Sequence, residues 1–316
     1  MISDLARKNL EKQGYKFTGK HSSTKICHWT KSSLSGKKFC YKHKFYNIQS
    51  HQCAQMTTNM FCSNLCDFCW RDIPTSNNIK MDSIDDPKDI IENTIKEQLK
   101  TITGLGGHPN VNKKRLEESK KIKHFAISLT GEPTMYPKLG ELIKKLHEKK
   151  ITSFLVTNGQ YPDSLEKLEK EDSLPTQIYL SLDAPTKEIY YNLDKPMLKD
   201  FWERFNRTLD IIHRIKDKTR TVLRITSVKH RNMCNEKDYA KLIEKANPKF
   251  LEIKGFTLLG PSGEKLTLEN VPSHDEVKQF AKDIIKHCDY KLIDEEPTSR
   301  VVLLMKENIQ ERFLDS

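Results

Sequence analysis

The sequence lacks any apolar run approaching the roughly 18 residues needed to span a bilayer, so we predict no transmembrane helix. Its first stretch, MISDLARKNLEKQGYKF, also lacks the apolar segment of a secretory signal peptide. We therefore expect a cytoplasmic protein, in which thiols stay reduced. The eight cysteines are accordingly interpreted as ligands or core residues and not as disulfides.

The composition lacks an acidic excess and is that of a globular protein. The chain has 316 residues, of which 36% are hydrophobic and 31% charged, enough for one large α/β domain or two smaller ones. Its 54 basic and 43 acidic residues give a net charge of +11. This balance favours a polyanionic partner such as RNA, although solvated lysine-rich helix faces would produce it equally well.

Apolar runs alternate with helical patterns after the first fifty residues. We predict strands at six runs: 54–61, 123–130, 151–157, 177–182, 221–227 and 250–257. One apolar face predicts a helix over 138–149, and Asp86-Pro87 marks the N-cap and first turn of another. Six strands, each followed by a helix, predict parallel βαβ units and hence an incomplete (β/α)6 TIM-like barrel.

Two flanking segments complete the predicted domain organisation. Residues 1–53 are polar and irregular, and we expect an N-terminal extension organised by its ligands rather than by a core. Residues 54–260 would form the partial barrel. Residues 261–316 would form a C-terminal extension, with a helix near 273–286 and a hairpin in YKLIDEEPTSRVVLLMK.

Turn motifs follow the predicted strands at the end where α/β folds place their active sites. CSNLC follows the first strand, TGEPT the second, TNG the third and DAP the fourth, while GFTLLGPSG spans the end of the sixth. Each motif alone is ordinary turn chemistry. Their agreement on one rim of the barrel indicates a site there.

Three cysteines, Cys62, Cys66 and Cys69, fall within eight residues in CSNLCDFCW. Soft thiolates select zinc, copper(I) or iron–sulfur clusters. Zinc completed by Cys53 is an alternative, but an intervening eight-residue strand would span roughly 26 Å at about 3.3 Å per residue. A cluster held by three cysteines fits better, and it leaves one iron open for a substrate or cofactor.

This C-x-x-x-C-x-aromatic-C motif, with Phe68 at the aromatic position and Trp70 after the last cysteine, resembles the signature of the radical S-adenosylmethionine (AdoMet) enzymes. The resemblance implies a [4Fe–4S] cluster on Cys62, Cys66 and Cys69. Its open iron would chelate AdoMet, and its electron would cleave AdoMet to methionine and a 5′-deoxyadenosyl radical.

Further residues match the AdoMet-binding pattern of these enzymes. The TGEP run resembles the family's G-G-E-P with Thr in place of the first Gly, and its Glu would hold the AdoMet amino group. The SLDAP run stands where the family places ribose-binding groups, and ordinary turn chemistry is the alternative. The resemblance assigns AdoMet to these positions: Thr130, Gly131, Glu132, Pro133, Asn158, Ser181 and Asp183.

Three more cysteines, Cys27, Cys40 and Cys53, are evenly spaced as C-x12-C-x12-C in a polar segment. Three thiols again predict a second cluster with an open iron. Zinc is the alternative, completed by a histidine: His28, His43 or His51.

The two cysteine trios, together with TGEPTMYP and VTNG, resemble the tRNA 4-demethylwyosine synthases over nearly the full chain. Enzymes of this family add a two-carbon unit from pyruvate to 1-methylguanosine beside the anticodon of phenylalanine tRNA. The resemblance implies that Cys27, Cys40 and Cys53 hold an auxiliary [4Fe–4S] cluster whose open iron binds pyruvate. Lys42 would form a Schiff base with pyruvate, although the basic run GKKFCYKHK could also contact phosphate.

The implied reaction starts when the adenosyl radical abstracts hydrogen from the N-methyl group. The methylene radical adds to the pyruvate carbonyl carbon, the bond to the carboxylate carbon breaks, and an amine exchange closes the third ring. The protein binds and orients the reactants and excludes water and oxygen.

The implied macromolecular partner is tRNA, because the target base lies in a single-stranded loop that can be splayed out. Any single basic residue is more often a solvated surface charge, and phosphate contacts would make binding weaken steeply with salt. The candidates are Lys37, Lys38, Lys44, Lys113, Lys114, Arg115, Lys120, Lys121, Lys123, Lys229, His230 and Arg231.

The electron donor is expected to be a separate protein. Eukaryotic members carry a flavodoxin-like domain before the radical domain, and Cys27 lies too near the start to leave room for one. The chain therefore resembles the single-domain archaeal type, which we expect to be a monomer served by a flavodoxin or ferredoxin. Cys234 and Cys288 have no cysteine neighbours and are interpreted as structural.

Overall fold

The computed structural model describes residues 3–71 and 83–314. Its strands are β1 (Lys16–Phe17), β2 (Ser23–Thr24), β3 (Cys53–Thr57), β4 (His124–Ile127), β5 (Thr152–Thr157), β6 (Gln177–Ser181), β7 (Arg220–Ser227), β8 (Phe250–Gly255), β9 (Lys291–Glu296) and β10 (Val301–Met305). Its α-helices are α1 (Asp4–Lys12), α2 (His28–Ser33), α3 (Tyr41–Tyr46), α4 (Pro87–Leu105), α5 (Lys113–Ser119), α6 (Leu139–Glu148), α7 (Pro162–Lys170), α8 (Lys187–Asp194), α9 (Phe201–Ile215), α10 (Glu236–Ala246) and α11 (His274–Ile285).

The six predicted strands are confirmed as β3 to β8, which lie side by side in chain order. Each pairs parallel with the next. β1 and β2 extend one edge antiparallel, and β10 and β9 extend the other edge beside β8. Within the described residues the sheet runs from β1 to β9 without closing, so the prediction of an incomplete barrel is confirmed.

Local signals place the predicted helices as expected. α4 begins at Pro87, and the N-cap Asp86 accepts from the Lys88 amide at 2.9 Å. α11 begins after Ser273 with a capping box closed by Glu276. The C-terminal hairpin is also confirmed, with β9 antiparallel to β10.

Alternate residues of the parallel strands pack into two separate cores. On the outer face, residues such as Leu180, Leu223 and Ile253 pack against the helices. On the inner face, Tyr179, Phe250 and their neighbours line the interior of the barrel. This period-2 alternation means that a polar residue in an inner-facing position points into the barrel lumen.

The expectation that the segment before residue 53 has no core is wrong. α3 places Tyr41, Phe45 and Tyr46 inside the barrel, and the Tyr46 ring lies 5.1 Å from that of Phe250. A six-residue helix is too short to show a helical period in sequence. The boundaries 1–53, 54–260 and 261–316 stay a prediction.

The described helices include no segment with the length and apolar character of a membrane span.

Candidate active site

The TGEP turn after β4 is tied to the loop that precedes the first cysteine trio. Glu132 N donates to Phe61 O at 2.7 Å, and Thr57 Oγ1 donates to Thr130 O at 2.6 Å. Gly131 has φ +67°, and a Cβ there would clash with the backbone of Asn59 and Phe61. Glycine is therefore required for this close approach.

The Glu132 carboxylate is buried and fixed by four donors. Oε1 accepts from Thr134 N at 3.0 Å, from Thr134 Oγ1 at 2.5 Å and from Thr157 Oγ1 at 2.8 Å. Oε2 accepts from Asn158 N at 2.8 Å. Burial raises the pKa of Glu132, and these hydrogen bonds oppose that shift. The turns after β4 and β5 thus meet at one carboxylate.

The first cysteine trio lies beside these turns. Asn158 Nδ2 donates to Cys62 Sγ at 3.5 Å and to Ser63 Oγ at 3.1 Å. Burial, reinforced by the Glu132 carboxylate, raises the pKa of Cys62. Cys66 Sγ donates to Asp194 Oδ1 at 3.5 Å, and burial, followed by Asp194, raises the pKa of Cys66. Asn158 is thus next to the trio, and its contact with AdoMet stays a prediction.

Asp67, inside the CSNLCDFCW loop, anchors that loop to the barrel. Its carboxylate pairs with Lys195 at 2.6 Å and with Arg231 at 2.9 Å, and its amide donates to Leu193 O at 2.9 Å. Sequence reasoning missed this residue. An acidic residue between two ligand cysteines was the available signal.

The region expected to bind ribose is acidic and buried. Asp183 Oδ1 accepts from Thr226 N at 2.7 Å, and burial raises the pKa of Asp183 to about 6. Burial and the nearby Asp183 also raise the pKa of Asp194, whose Oδ2 is buried without a hydrogen-bond partner among the described residues. Ser181 ends β6 and is paired in register with Arg224.

The second trio is assembled from three separate elements at the other end of β3. Cys27 is the N-cap of α2, Cys40 is the N-cap of α3, and Cys53 is the first residue of β3. Burial, then the neighbouring Cys27, raises the pKa of Cys53 to about 12. Burial raises the pKa of Cys40 to about 11, and the Lys42 charge opposes this shift.

Lys42 extends from α3 into the barrel lumen. Its Nζ lies 4.0 Å from the centroid of the Tyr179 ring and 5.7 Å from that of Phe154. Burial, followed by the charge of Arg224, lowers the pKa of Lys42. A lowered pKa favours the neutral form of the amine, which has the lone pair that attack on a carbonyl requires.

A polar network surrounds this amine inside the barrel. The fully buried Glu252 accepts from Tyr41 OH at 2.8 Å, from Tyr46 OH at 2.7 Å and from Arg224 Nε at 3.1 Å. Sequence reasoning missed it. The available signal was the presence of charged residues inside two largely apolar strands, one in TVLRITS and two in FLEIKGFT.

Arg71 lies between the two trios. Its Nη1 donates to Tyr15 OH at 3.2 Å, and its guanidinium carbon lies 3.3 Å from the centroid of the Trp70 ring. Burial lowers the pKa of Arg71, while Tyr15 and the thiols of Cys27 and Cys69 act in the opposite direction. The Arg71 guanidinium therefore interacts electrostatically with one thiol from each trio.

The histidines considered for zinc make contacts elsewhere. His51 faces Glu118 Oε2 at 2.9 Å and Arg115 at 3.5 Å, and His43 faces Ile48 O at 3.2 Å. His28 faces Ser32 Oγ at 3.2 Å. Over residues 3–71 and 83–314, no three His, Cys, Asp or Glu side chains form a group suited to a single metal ion.

Some of the predicted tRNA contacts are engaged in ion pairs, and others lie on two segments that pack together. Lys44, Lys120, Lys229 and Arg231 are ion-paired with acidic side chains. The segment carrying Lys37 and Lys38 instead packs against the start of α5. Asn112 N donates to Leu34 O at 2.9 Å, and Arg115 lies over the Phe39 ring at 4.7 Å. These two adjoining segments carry four exposed lysines: Lys37, Lys38, Lys113 and Lys114.

The first trio and its surroundings fit an iron–sulfur cluster and AdoMet. Three soft thiols match the ligand preference of iron–sulfur clusters. The buried Thr130 Oγ1 has no hydrogen-bond partner among the described residues and stands beside the fixed Glu132 carboxylate. An acidic turn with an unused hydroxyl matches a ligand that carries an amino group.

Comparison with known proteins agrees with this chemistry. Residues 113–243 match the family model of the radical SAM superfamily, and residues 245–306 match the model described as wyosine base formation. Fold and site together define a radical SAM enzyme, a class that uses AdoMet and a [4Fe–4S] cluster.

Related proteins of known name identify the family within this class to which the chain belongs. The S-adenosyl-L-methionine-dependent tRNA 4-demethylwyosine synthase of Pyrococcus abyssi is 46% identical over 94% of this chain and 87% of its own length. The Pyrococcus horikoshii enzyme of the same name is 45% identical over 98% of this chain and 89% of its own. A solved structure of TYW1 with a lysine–pyruvate adduct bound has a TM-score of 0.88 at 35% identity, covering 99% of this chain and 100% of the other. The chain belongs to the tRNA 4-demethylwyosine synthase family.

Proposed function

We propose that this enzyme condenses a two-carbon unit from pyruvate with N1-methylguanosine next to the anticodon of tRNA-Phe, forming 4-demethylwyosine. The observation that carries the proposal is the position of Lys42, a buried amine in the barrel lumen beside Cys40. The solved relative that holds a lysine–pyruvate adduct supports the same chemistry.

The rim end of the barrel would hold AdoMet. Cys62, Cys66 and Cys69 would carry the [4Fe–4S] cluster, and Glu132, fixed by its four donors, would accept from the AdoMet amino group without reorganising. When bound, AdoMet and the cluster supply one-electron chemistry that generates a hydrogen-abstracting radical. Thr130, Gly131, Pro133, Asn158, Ser181 and Asp183 complete the proposed AdoMet site.

The other end of β3 would hold the second substrate. Cys27, Cys40 and Cys53 would carry an auxiliary [4Fe–4S] cluster. Burial raises the pKa of the Cys40 thiol to about 11 and that of the Cys53 thiol to about 12, so binding a cluster requires the loss of their protons. This cluster would lie next to Lys42, which is two residues from Cys40 in sequence and interacts with the Cys40 and Cys53 thiols.

Lys42 would form a Schiff base with pyruvate. The neutral amine attacks the keto carbon, a C–N bond forms, and the carbonyl oxygen leaves as water to give the C=N bond. Burial among the rings of Tyr179 and Phe154 favours the neutral amine that this step needs. The enclosing side chains of the inner core also limit access of bulk water.

The exposed lysines Lys37, Lys38, Lys113 and Lys114 offer a phosphate-binding patch for tRNA. Lys37 and Lys38 lie just before Cys40, and Lys113 and Lys114 are the first two residues of α5. The patch would therefore lie on the side of the second trio. The remaining parts of the proposal are a monomer, an external flavodoxin or ferredoxin as the electron donor, and the cytoplasm as its location.

The test is a reaction of the anaerobically purified enzyme with AdoMet, a low-potential reductant, isotope-labelled pyruvate and tRNA-Phe carrying 1-methylguanosine. We expect a tricyclic base that contains two labelled carbons, detected by nucleoside mass spectrometry. Reactions without pyruvate, or with unmethylated tRNA, serve as controls. AdoMet cleavage without any labelled base would sink the substrate assignment.

A further inference from the structure

The inner face of β7 carries two arginines that differ in how fully their nitrogens are used. Each of the three guanidinium nitrogens of Arg220 donates a hydrogen bond. Nε donates to Gln177 Oε1 at 2.8 Å, Nη1 to Glu311 O at 2.6 Å and Nη2 to Arg312 O at 2.6 Å. Arg224 uses its Nε on Glu252, whereas its Nη2 is buried without a hydrogen-bond partner among the described residues. An unpaired buried guanidinium nitrogen is costly, so it indicates a missing acceptor.

The Arg224 guanidinium and the proposed nucleophile, Lys42, lie close to the same aromatic ring and interact electrostatically. The Arg224 guanidinium carbon lies 4.6 Å from the centroid of the Tyr179 ring, and Lys42 Nζ lies 4.0 Å from the same centroid. Both side chains thus share one aromatic neighbour inside the barrel.

Positive charge exceeds negative charge around this ring. Glu252 is the acidic group of the network, and two tyrosines together with Arg224 Nε occupy its oxygens. Lys254 lies two residues further along the inner face of β8, and burial, followed by the charge of Arg224, lowers its pKa to about 8. The side chains of Arg224 and Lys254 thus face one carboxylate whose oxygens are already used, which favours a small anion in the lumen.

We propose that Arg224 determines the specificity for a 2-oxo acid: its Nη2 donates to a carboxylate oxygen of the substrate, whose keto carbon then lies at Lys42 Nζ. Guanidinium is the side chain best matched to a carboxylate, and one fixed contact beside the amine sets which carbon the amine reaches. This assignment rests on the proposed function, in which Lys42 forms the adduct.

The test compares two probes on the iron-loaded enzyme. Pyruvate and its neutral ester, methyl pyruvate, are each trapped on the protein with cyanoborohydride, and the reduced adduct is quantified by mass spectrometry. Arg224→Gln should raise the pyruvate concentration for half-maximal trapping about 10- to 100-fold, the loss expected for a charge-assisted hydrogen bond. The value for methyl pyruvate should not change, and Arg224→Lys should restore part of the preference for pyruvate.

Arg220→Gln is the matched control on the same strand face, and it should leave the ratio between the two probes unchanged. Arg224→Gln/Glu252→Gln removes the buried pair together and keeps the test usable if the single variant fails to fold. Equal losses for both probes, or no loss for pyruvate, would overturn the role of Arg224. A wild-type enzyme that traps neither probe would instead overturn the Lys42 adduct itself.

Discussion

The two cysteine trios sit at opposite ends of the first barrel strand and are built in opposite ways. Cys62, Cys66 and Cys69 share one loop, which Asp67 anchors through Lys195 and Arg231. The other three cysteines come from two short helices and the start of β3, so only the tertiary fold brings them together. The first trio is a local motif, and the second is a product of the whole N-terminal segment.

Their electrostatic surroundings differ as well. Acidic side chains surround the first trio: Glu132, Asp183 and Asp194 are all buried there. Basic side chains lie near the second, with Lys42, Arg224 and Lys254 in the lumen. The acidic rim end therefore suits a ligand with a positively charged amino group, and the basic lumen suits a ligand with a carboxylate. One fold can thus present two similar sets of thiols to two chemically distinct reactants.

Replacing Lys42 should produce the largest difference between the two ends. Lys42→Ala and Lys42→Arg should both abolish the tricyclic product and the trapped pyruvate adduct, because neither side chain supplies the amine nucleophile. AdoMet cleavage at the other end should continue in both. Product formation by Lys42→Arg would show that the residue serves only as a charge, as contact with phosphate would require.

Glu132→Gln should weaken ligand binding at the acidic rim end and leave the lumen end unaffected. The neutral amide cannot accept from all four donors, and it loses the charge that would face the AdoMet amino group. We expect AdoMet affinity to fall about 10- to 100-fold in equilibrium dialysis, with pyruvate trapping on Lys42 unaffected. The exposed Glu188→Gln is the control. Unchanged AdoMet affinity in Glu132→Gln would contradict the assignment of this carboxylate.

Gly131→Ala should destabilise the rim end through the backbone. Its φ of +67° and the contacts with Asn59 O and Phe61 O leave no space for a Cβ. We expect the free energy of unfolding to fall by about 2–5 kcal/mol in denaturant titrations. Gly263→Ala, where nothing lies within 4 Å of the added carbon, should be close to neutral. Equal stability of the two variants would show that the TGEP turn relaxes freely.

The two ends should also respond to acid in opposite senses. Burial raises the pKa of Asp183 from 3.8 to about 6, so the folded state binds its proton first and this group adds stability as pH falls from about 6 to 4. Burial lowers the pKa of His124, beside Cys53 in the sheet, from 6.5 to about 4, so stability is lost as pH falls through that window. Each group contributes about 1–3 kcal/mol.

Denaturant titrations of the iron-free protein between pH 4 and 7 separate these two contributions. Asp183→Asn should steepen the loss of stability in acid, and His124→Gln should reduce it. Changes of the same sign in both variants would contradict the assigned burial of one of the two groups.

The sequence allowed the architecture to be predicted because buried parallel strands are continuous apolar runs and their turns share one rim. Asn158 and Glu132 could be proposed as site residues because they belong to short motifs at those turns. The core role of α3 was not predictable, since six residues show no period and the aromatic partners lie more than a hundred residues away.

The lumen network was missed for a different physical reason. Arg224 and Glu252 meet only because neighbouring strands set their register and both residues face inward. Sequence shows a charge inside an apolar run, but it does not show which side of the sheet that charge faces or that the inner side packs around α3. The packing of the segment with Lys37 and Lys38 against α5 also depends on the tertiary fold, so it could not be predicted from the sequence.

The most direct test of the account is the iron content of two triple variants. Wild-type enzyme, purified without oxygen, should hold about eight irons per chain, and each triple Cys→Ala variant should hold about four. The variant lacking Cys27, Cys40 and Cys53 should still cleave AdoMet. The variant lacking Cys62, Cys66 and Cys69 should lose cleavage but keep the Lys42 adduct. A colourless zinc protein, or loss of all iron from either variant, would contradict two independent clusters at the two ends of the barrel.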